Sequence, residues 1–325
     1  RTAVVRAGTG AIVGLLLIAN IINIGADLGA MGDALALVVG GPPLAYCIGF
    51  ATVCVLIQVL LNYTRYVKVL KWLTLALFAY FGTALVVRVP WNEVAKGIFI
   101  PTLSADKNFW TAVVAILGTT ISPYLFFWQA SEEVEDIKAV PERKALVKAP
   151  RQVGDAIARI KLDTYIGMAF SNFVALAIII TTAATLNANG VKNVETSAQA
   201  AEALRPVAGS AAFIIFALGI VGTGLLAVPV LAGSAAYALG EARKWPVGLD
   251  RKPLEARAFY GTVAVATILG AAMNFSPINP IKALYWSAVI NGVISVPVMV
   301  IMMFMTANTK VMGQFVVAAP LRIVG

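Results

Sequence analysis

The chain has 325 residues, 60% hydrophobic and only 13% charged, with a net charge of +9, two cysteines and no histidine. A soluble domain is about half apolar and about a quarter charged and must keep a polar surface. The composition therefore excludes a water-soluble globule, and a histidine-ligated zinc or haem site and a His-based catalytic triad are excluded within the chain.

Charges are absent from the stretches 7–26, 34–64, 72–87, 108–131, 164–191, 206–240, 258–281 and 283–309. A helix needs roughly 20 apolar residues to cross a ~30 Å hydrocarbon core. Only 72–87 falls short, and Lys71 and Arg88 can snorkel from its ends. Eight transmembrane helices are expected within a single domain over 1–325, at about 9–36, 43–63, 69–88, 109–130, 164–187, 211–240, 257–274 and 280–306. Trp72, Trp91, Trp110 and Trp245 fall near the expected interfaces, as an aromatic belt requires.

In chain order, the protein opens at Arg1 on a basic stub without a signal peptide, as a piece of a longer protein would. Asp27 follows in ANIINIGADLGAMGDAL. An ionisable group inside a span points to function, and Gly25, Gly29 and Gly32 permit the close packing that would turn it inward. Asp33 lies near the boundary and reads as a solvated end charge. Cys47 and Cys54, ~10 Å apart along one helix, are too far apart for a disulfide.

The fourth span carries the most chemistry, in LGTTISPYLFFWQ. Pro123 cannot donate to the Thr119 carbonyl, and its ring clashes with that group. Gly118 and Pro123 thus mark a helix break. The freed carbonyl with the Thr119, Thr120 and Ser122 hydroxyls makes a mid-depth cluster of neutral oxygens, which suits hard cations. The competing reading is that these hydroxyls only back-bond within a kinked helix.

Residues 131–163 mix acids and bases around Pro141 and Pro150 and read as a cytoplasmic loop with partial helix. Asp163 opens the next span, which carries Asn172. Residues 187–210 form the main external loop, with 194–204 amphipathic and helical. Gly222, Gly224, Pro229 and Pro297 are internal breaks or kinks, and Asn291 is a mid-span amide. Asn172 and Asn291 read as interhelical hydrogen-bonding residues before ligands.

Nineteen of the 25 Lys and Arg lie in the non-membrane segments on the side of the N-terminus. The positive-inside rule puts both ends of the chain in the cytoplasm. The basic balance is topology, so no nucleic-acid partner is expected. The partners are the lipid bilayer and a transported ion, and nothing requires an oligomer.

Three motifs carry a family resemblance. The run AVVAILGTTISPYLFFWQ resembles the sixth helix of the Nramp (solute carrier 11) transporters, whose motif is Ala-x-x-Met-Pro-His. GADLGAMG resembles their third helix and KLDTYIGMAFSN the start of their seventh. The resemblance implies an all-α, LeuT-type inverted-repeat fold in which the eight spans are helices three to ten. The first two helices, with the Asp-Pro-Gly motif that supplies the family's main carboxylate ligand, would then lie outside the chain.

Departures from the motif point to the substrate. Thr119 and Ser122 stand where the family has Ala and Met, Tyr124 and Gln129 stand where it has histidines, and Ala30 replaces a third-helix Glu. The thioether that favours soft metals is gone, and so are most groups that titrate near neutral pH. The pattern resembles the Nramp-related magnesium transporter branch. It implies uptake of Mg²⁺, and also Mn²⁺, across the bacterial plasma membrane with weak or no proton coupling. Thr119, Thr120, Ser122 and Tyr124 would hold the metal, with Asp27, Gln129, Asn172 and Asn291 along an ion or proton pathway and no resident cofactor. The alternatives are a proton-coupled Mn²⁺/Fe²⁺ importer and an amino-acid/Na⁺ symporter of the same fold. No span offers the convergent acid, base or nucleophile groups an enzyme needs.

Overall fold

The computed structural model describes residues 2–60, 72–100, 102–191, 193–249 and 251–324. The ends of two expected spans (61–63 and 69–71) and the topogenic Arg1, Arg65, Lys68, Lys71 and Lys192 lie outside the described residues.

Helix α1 runs Thr2–Val39 and stops because Gly40 takes φ +77° while its N–H bonds the Ala36 carbonyl at 2.8 Å. A left-handed glycine is the standard helix stop. Gly41 turns the chain again, and Pro43 opens α2, Pro43–Leu60, at the helix position that tolerates proline best. Next come a 3₁₀ turn, Leu73–Phe78, and α3, Ala79–Val86. Helix α4, Trp91–Phe99, follows. The described helical part of the expected span 69–88 is thus broken into two short pieces.

The expected span 109–130 is two helices, α5, Lys107–Thr120, and α6, Pro123–Ala139. Asp106 caps α5 by accepting from the Asn108 N–H. Helix α6 continues well into the segment expected as loop, and α7, Val153–Thr185, begins before its apolar stretch does. The polar ends stay helical because they hold each other. Arg159 on α7 reaches both oxygens of Glu133 on α6, at 2.8 and 3.2 Å, and Asp136 at 3.1 Å, while Arg143 closes on Asp136 from the connecting loop.

The segment expected as the external loop holds two short helices, α8, Ser197–Glu202, and α9, Arg205–Ala208. Thr196 and Gln199 form a reciprocal capping box at the start of α8, which satisfies two otherwise orphaned amides. The chain then crosses in α10, Ala212–Arg243, α11, Arg257–Met273, and α12, Pro280–Thr306. It ends in α13, Thr309–Met312, and α14, Ala319–Val324.

Among the described residues, six helical stretches are long and apolar enough to span a membrane: 10–39, 43–60, 107–138, 150–189, 209–243 and 280–306. Helix α11 is apolar but shorter, with 17 residues. Large apolar side chains such as Leu85, Phe99, Phe173, Val293 and Phe304 stand exposed on their outer faces, the reverse of a soluble protein and the arrangement lipid demands.

Helix α1 is the centre of the bundle, packed on α2, α10, α11 and α12. Its Ile24, Leu28 and Met31 join Cys54, Trp128, Val228, Phe259 and Val263 in the main core. A second core joins Ala34 of α1 to Tyr80, α7, α8 and the N-terminal end of α10. The two cysteines are free and buried. Asp33 departs from its expected solvated role: it is partly buried and accepts the Ser197 hydroxyl, because α8 folds back over the end of α1.

Candidate ion site at the α5–α6 break

Pro123 sets the local geometry. Ile121 (φ −118°, ψ 62°) and Ser122 (φ −80°, ψ 129°) leave helical space, and Pro123 becomes the first residue of α6. The residue before a proline is pushed out of the helical region for steric reasons. Ser122 does not cap α6. Its hydroxyl turns back and donates to the Gly118 carbonyl at 2.7 Å, tying the two half-helices across the break. The Thr119 hydroxyl donates to the Ile116 carbonyl at 2.7 Å, and that of Thr120 to Leu117 at 3.0 Å and Ile116 at 3.3 Å.

Back-bonding of this kind was the competing reading of the cluster, and these bonds exist. They use the hydroxyl protons and leave oxygen lone pairs free. The end of α5 therefore presents hydroxyl oxygens together with its last carbonyls, at the negative end of a helix dipole, which favours a cation. The positive end of α6 faces the same gap from the other side. Electrostatics thus weights the cation side toward Thr119 and Thr120. Ser122 is buried, Thr119 is exposed, and Thr120 and Tyr124 are partly buried.

Asp27 reaches the same region from α1. It is partly buried and has no ion-pair partner among the described residues. Its helix neighbours Ile24 and Leu28 belong to the core against which Tyr124 of α6 packs.

Asn291 is buried on α12 and pairs reciprocally with Asn23 on α1: each amide donates to the other's carbonyl oxygen, at 2.9 and 3.1 Å. That is the interhelical role expected of it. Gln129 lies outside the break, donating to Thr164 on α7 at 3.3 Å. Asn172 stands exposed on α7, without a described hydrogen bond, and is not brought to the break.

Asn23 and Asn20 were not singled out from the sequence. Both lie on the face of α1 that bears Asp27, at helical spacing, and that spacing of polar residues in an apolar run was the available signal. Asn20 is 1% exposed. Its amide donates to the Leu231 carbonyl at 2.9 Å, and its own oxygen meets no donor among the described residues. Ser234, also unnoticed, donates to the Tyr124 carbonyl at 3.0 Å. Among the described residues no group of three or more His, Cys, Asp or Glu could hold a metal ion.

Comparison with known proteins agrees with this architecture. A family model described as "Natural resistance-associated macrophage protein-like" (Nramp) matches residues 2–325. A divalent metal cation transporter MntH of Yersinia enterocolitica is 32% identical over 133 residues, 41% of this chain and 29% of the relative. Its counterpart in Yersinia pestis is 29% identical over the same shares. The MntH of Caldanaerobacter subterraneus subsp. tengcongensis is 25% identical over 250 residues, 76% of this chain and 54% of the relative. The matched region spans between about a third and about half of these curated relatives. The chain belongs to the Nramp family, and its nearly all-helical, membrane-spanning structure is of that family's LeuT-type transporter fold.

Proposed function

We propose that the protein carrying this chain transports divalent metal cations across the bacterial plasma membrane, taking up Mg²⁺ and also Mn²⁺ with weak or no proton coupling. The observation that carries this reading is the donor set at the break. Thr119, Thr120, Ser122 and Tyr124 offer oxygen alone, with Asp27 as the nearby charge and no thioether or imidazole. Hard oxygen donors suit Mg²⁺ and Mn²⁺ and give no preference to thiophilic metals. The relatives named divalent metal cation transporters support the substrate class. Because Mg²⁺ gives up its waters reluctantly, the ion would be held partly hydrated. Thr119 and Ser122 would contact it directly or through water, opposite ligands outside this chain.

The excess of Lys and Arg on one side supports a cytoplasmic N-terminal end of the chain. The membrane potential then drives uptake, because two charges crossing 100 mV gain about 4.6 kcal/mol. Neither Tyr124 nor Gln129 can relay protons near neutral pH.

The test is flux into liposomes carrying the intact protein, with a pH dye in the lumen. The expected result is Mg²⁺ entry without acidification. Metal-dependent acidification, or brisk Cd²⁺ entry beside no Mg²⁺ entry, would instead identify a proton-coupled transition-metal importer.

A further inference from the structure

The inner half-helix α6 is held on α10 by three contacts in register. The Ser234 hydroxyl donates to the Tyr124 carbonyl at 3.0 Å. Gly233 lies under the Trp128 ring so closely that an added Cβ would sit 2.5 Å from it. The Tyr237 hydroxyl donates to a Glu135 oxygen. That same oxygen accepts the Leu249 N–H at 2.9 Å, and the Leu249 N–H also lies 3.1 Å from the Tyr237 oxygen. Glu135 differs from its acidic neighbours on α6. Glu133 and Asp136 take arginines, whereas Glu135 has no cation at ion-pair distance among the described residues and is met by neutral donors.

Tyr237 is also the middle of an aromatic chain. Its ring meets Trp128 of α6 edge-on at 6.1 Å and Phe259 of α11 at 4.9 Å, and Phe259 meets Tyr260 at 5.3 Å. One tyrosine therefore joins α6, α10, α11 and the loop between the last two. The break at Ile121–Ser122 lies at the outer end of this docking track, so whatever seats α6 on α10 also sets where Tyr124 and Ser122 stand.

We propose that Ser234 and Tyr237, with Glu135 as their partner on α6, are positioning residues for the ion site. They seat α6 on α10, and the Tyr237–Glu135 bond must break for α6 to lift away and pass the ion inward. A single bond to a carboxylate shared with one backbone amide suits that task. It is directional enough to fix the seat and weak enough to open, since a hydrogen bond exchanged for water contributes only modestly. The arginine pairs on the other side of α6 would keep it attached to α7 as it moves. This proposal rests on the transport reading given above.

The experiment uses the intact protein in liposomes with a Ser131→Cys reporter. Ser131 is buried on α6, one turn from Trp128 and Glu135, and Cys47 and Cys54 are themselves buried. Modification by a membrane-impermeant maleimide then reports how often α6 lifts. Tyr237→Phe should raise the modification rate at least about ten-fold, the population shift expected from losing a hydrogen bond to a carboxylate. Glu135→Gln, which keeps an acceptor for both donors, should stay within about two-fold of the parent. In ion flux, Tyr237→Phe should change kcat while leaving KM within about two-fold. An unchanged modification rate in Tyr237→Phe would overturn the proposal. So would equal acceleration by Glu135→Gln, or a change confined to KM. If the protein moves no divalent cation, the transport reading fails, and the thiol rates still decide the seating of α6.

Discussion

Gly118→Ala tests whether the break is held against α12 as the structure requires. An added Cβ would lie 1.9 Å from the Ala288 carbonyl oxygen and 2.5 Å from the Gly292 nitrogen. Both are backbone atoms of a long helix, so no side chain can turn aside. An ordinary carbon–oxygen contact is about 3.3 Å, so α5 and α12 must part by about 1.4 Å. Overpacking costs about 1–3 kcal/mol, and rigid backbone puts this case near 3. Alanine in place of glycine returns about 1 kcal/mol through helix propensity, leaving a net loss of about 2. At about 2.1 cal/mol/K of unfolding entropy per residue, that corresponds to a fall in melting temperature of about 3 °C. Displacing the site by about 1 Å should also cut flux at least about ten-fold, because a misplacement of that size can cost up to about a hundred-fold.

The control is Gly167→Ala on α7, where a Cβ meets nothing within 4 Å; it should be neutral or slightly stabilising. Thermal unfolding of the purified protein and metal flux in liposomes give the two readings. If Gly118→Ala melts with Gly167→Ala and transports within about two-fold of the parent, the close approach of α5 to α12 is wrong.

Ser122→Cys, nearly isosteric, places a soft sulfur at the break and should raise Cd²⁺ over Mg²⁺ preference about ten-fold in competition flux; an unchanged ratio would remove Ser122 from the ion's surroundings. Asn291→Leu should cost about 1–2 kcal/mol because it leaves Asn23 short of a partner inside the bundle. Asn23→Leu combined with Asn291→Leu should cost less than the two single changes added, with a coupling of about 0.6–1.7 kcal/mol, and strict additivity in thermal unfolding would argue against the pair. Arg159→Gln should lower stability by about 1 kcal/mol or less, because Arg159 and Glu133 are partly exposed, at 38% and 28%, and solvent screens such pairs. A loss of several kcal/mol in the same assay would mean that the pair is buried in the intact protein.

How far the structure could be foreseen follows from the range of the forces involved. Charge segregation is a local signal, and six described helical stretches are long and apolar enough to span a membrane. The Pro123 break is also local, fixed by one ring and one missing N–H. What the sequence could not reveal depends on residues far apart in the chain. Glu135 and Tyr237 are separated by 102 positions, and Asn23 and Asn291 by 268. Nothing in the neighbourhood of Glu135 marks it off from Glu133. Helix α6 outran its apolar stretch for a related reason: a run of acids looks like loop until Arg159 is found waiting on α7. Asp33 looked solvated for want of any sign that Ser197 would fold over it.

The glycines divide the molecule mechanically. Gly25 of α1 lies against Gly270 of α11, Gly29 against Asn274, and Gly32 against Pro43 and Cys47 of α2, each so close that one added carbon would collide. Met31 of α1 fills the space beside Gly224 of α10 in the same way. Helices in backbone contact cannot slide without first separating, so α1, α2 and α11 are expected to move as one frame, with α10 joined to it through the Met31 side chain. Gly118 and Gly292 weld α5 to α12 by the same device. Among the described residues no glycine welds α6 to α12: α6 packs there through Phe126 and Phe127 and rests on α10 through a hydroxyl, a ring and one carboxylate. If α6 detaches as proposed, the two residues between α5 and α6 are a joint, and an ion held there would sit where a small relative movement has the largest effect.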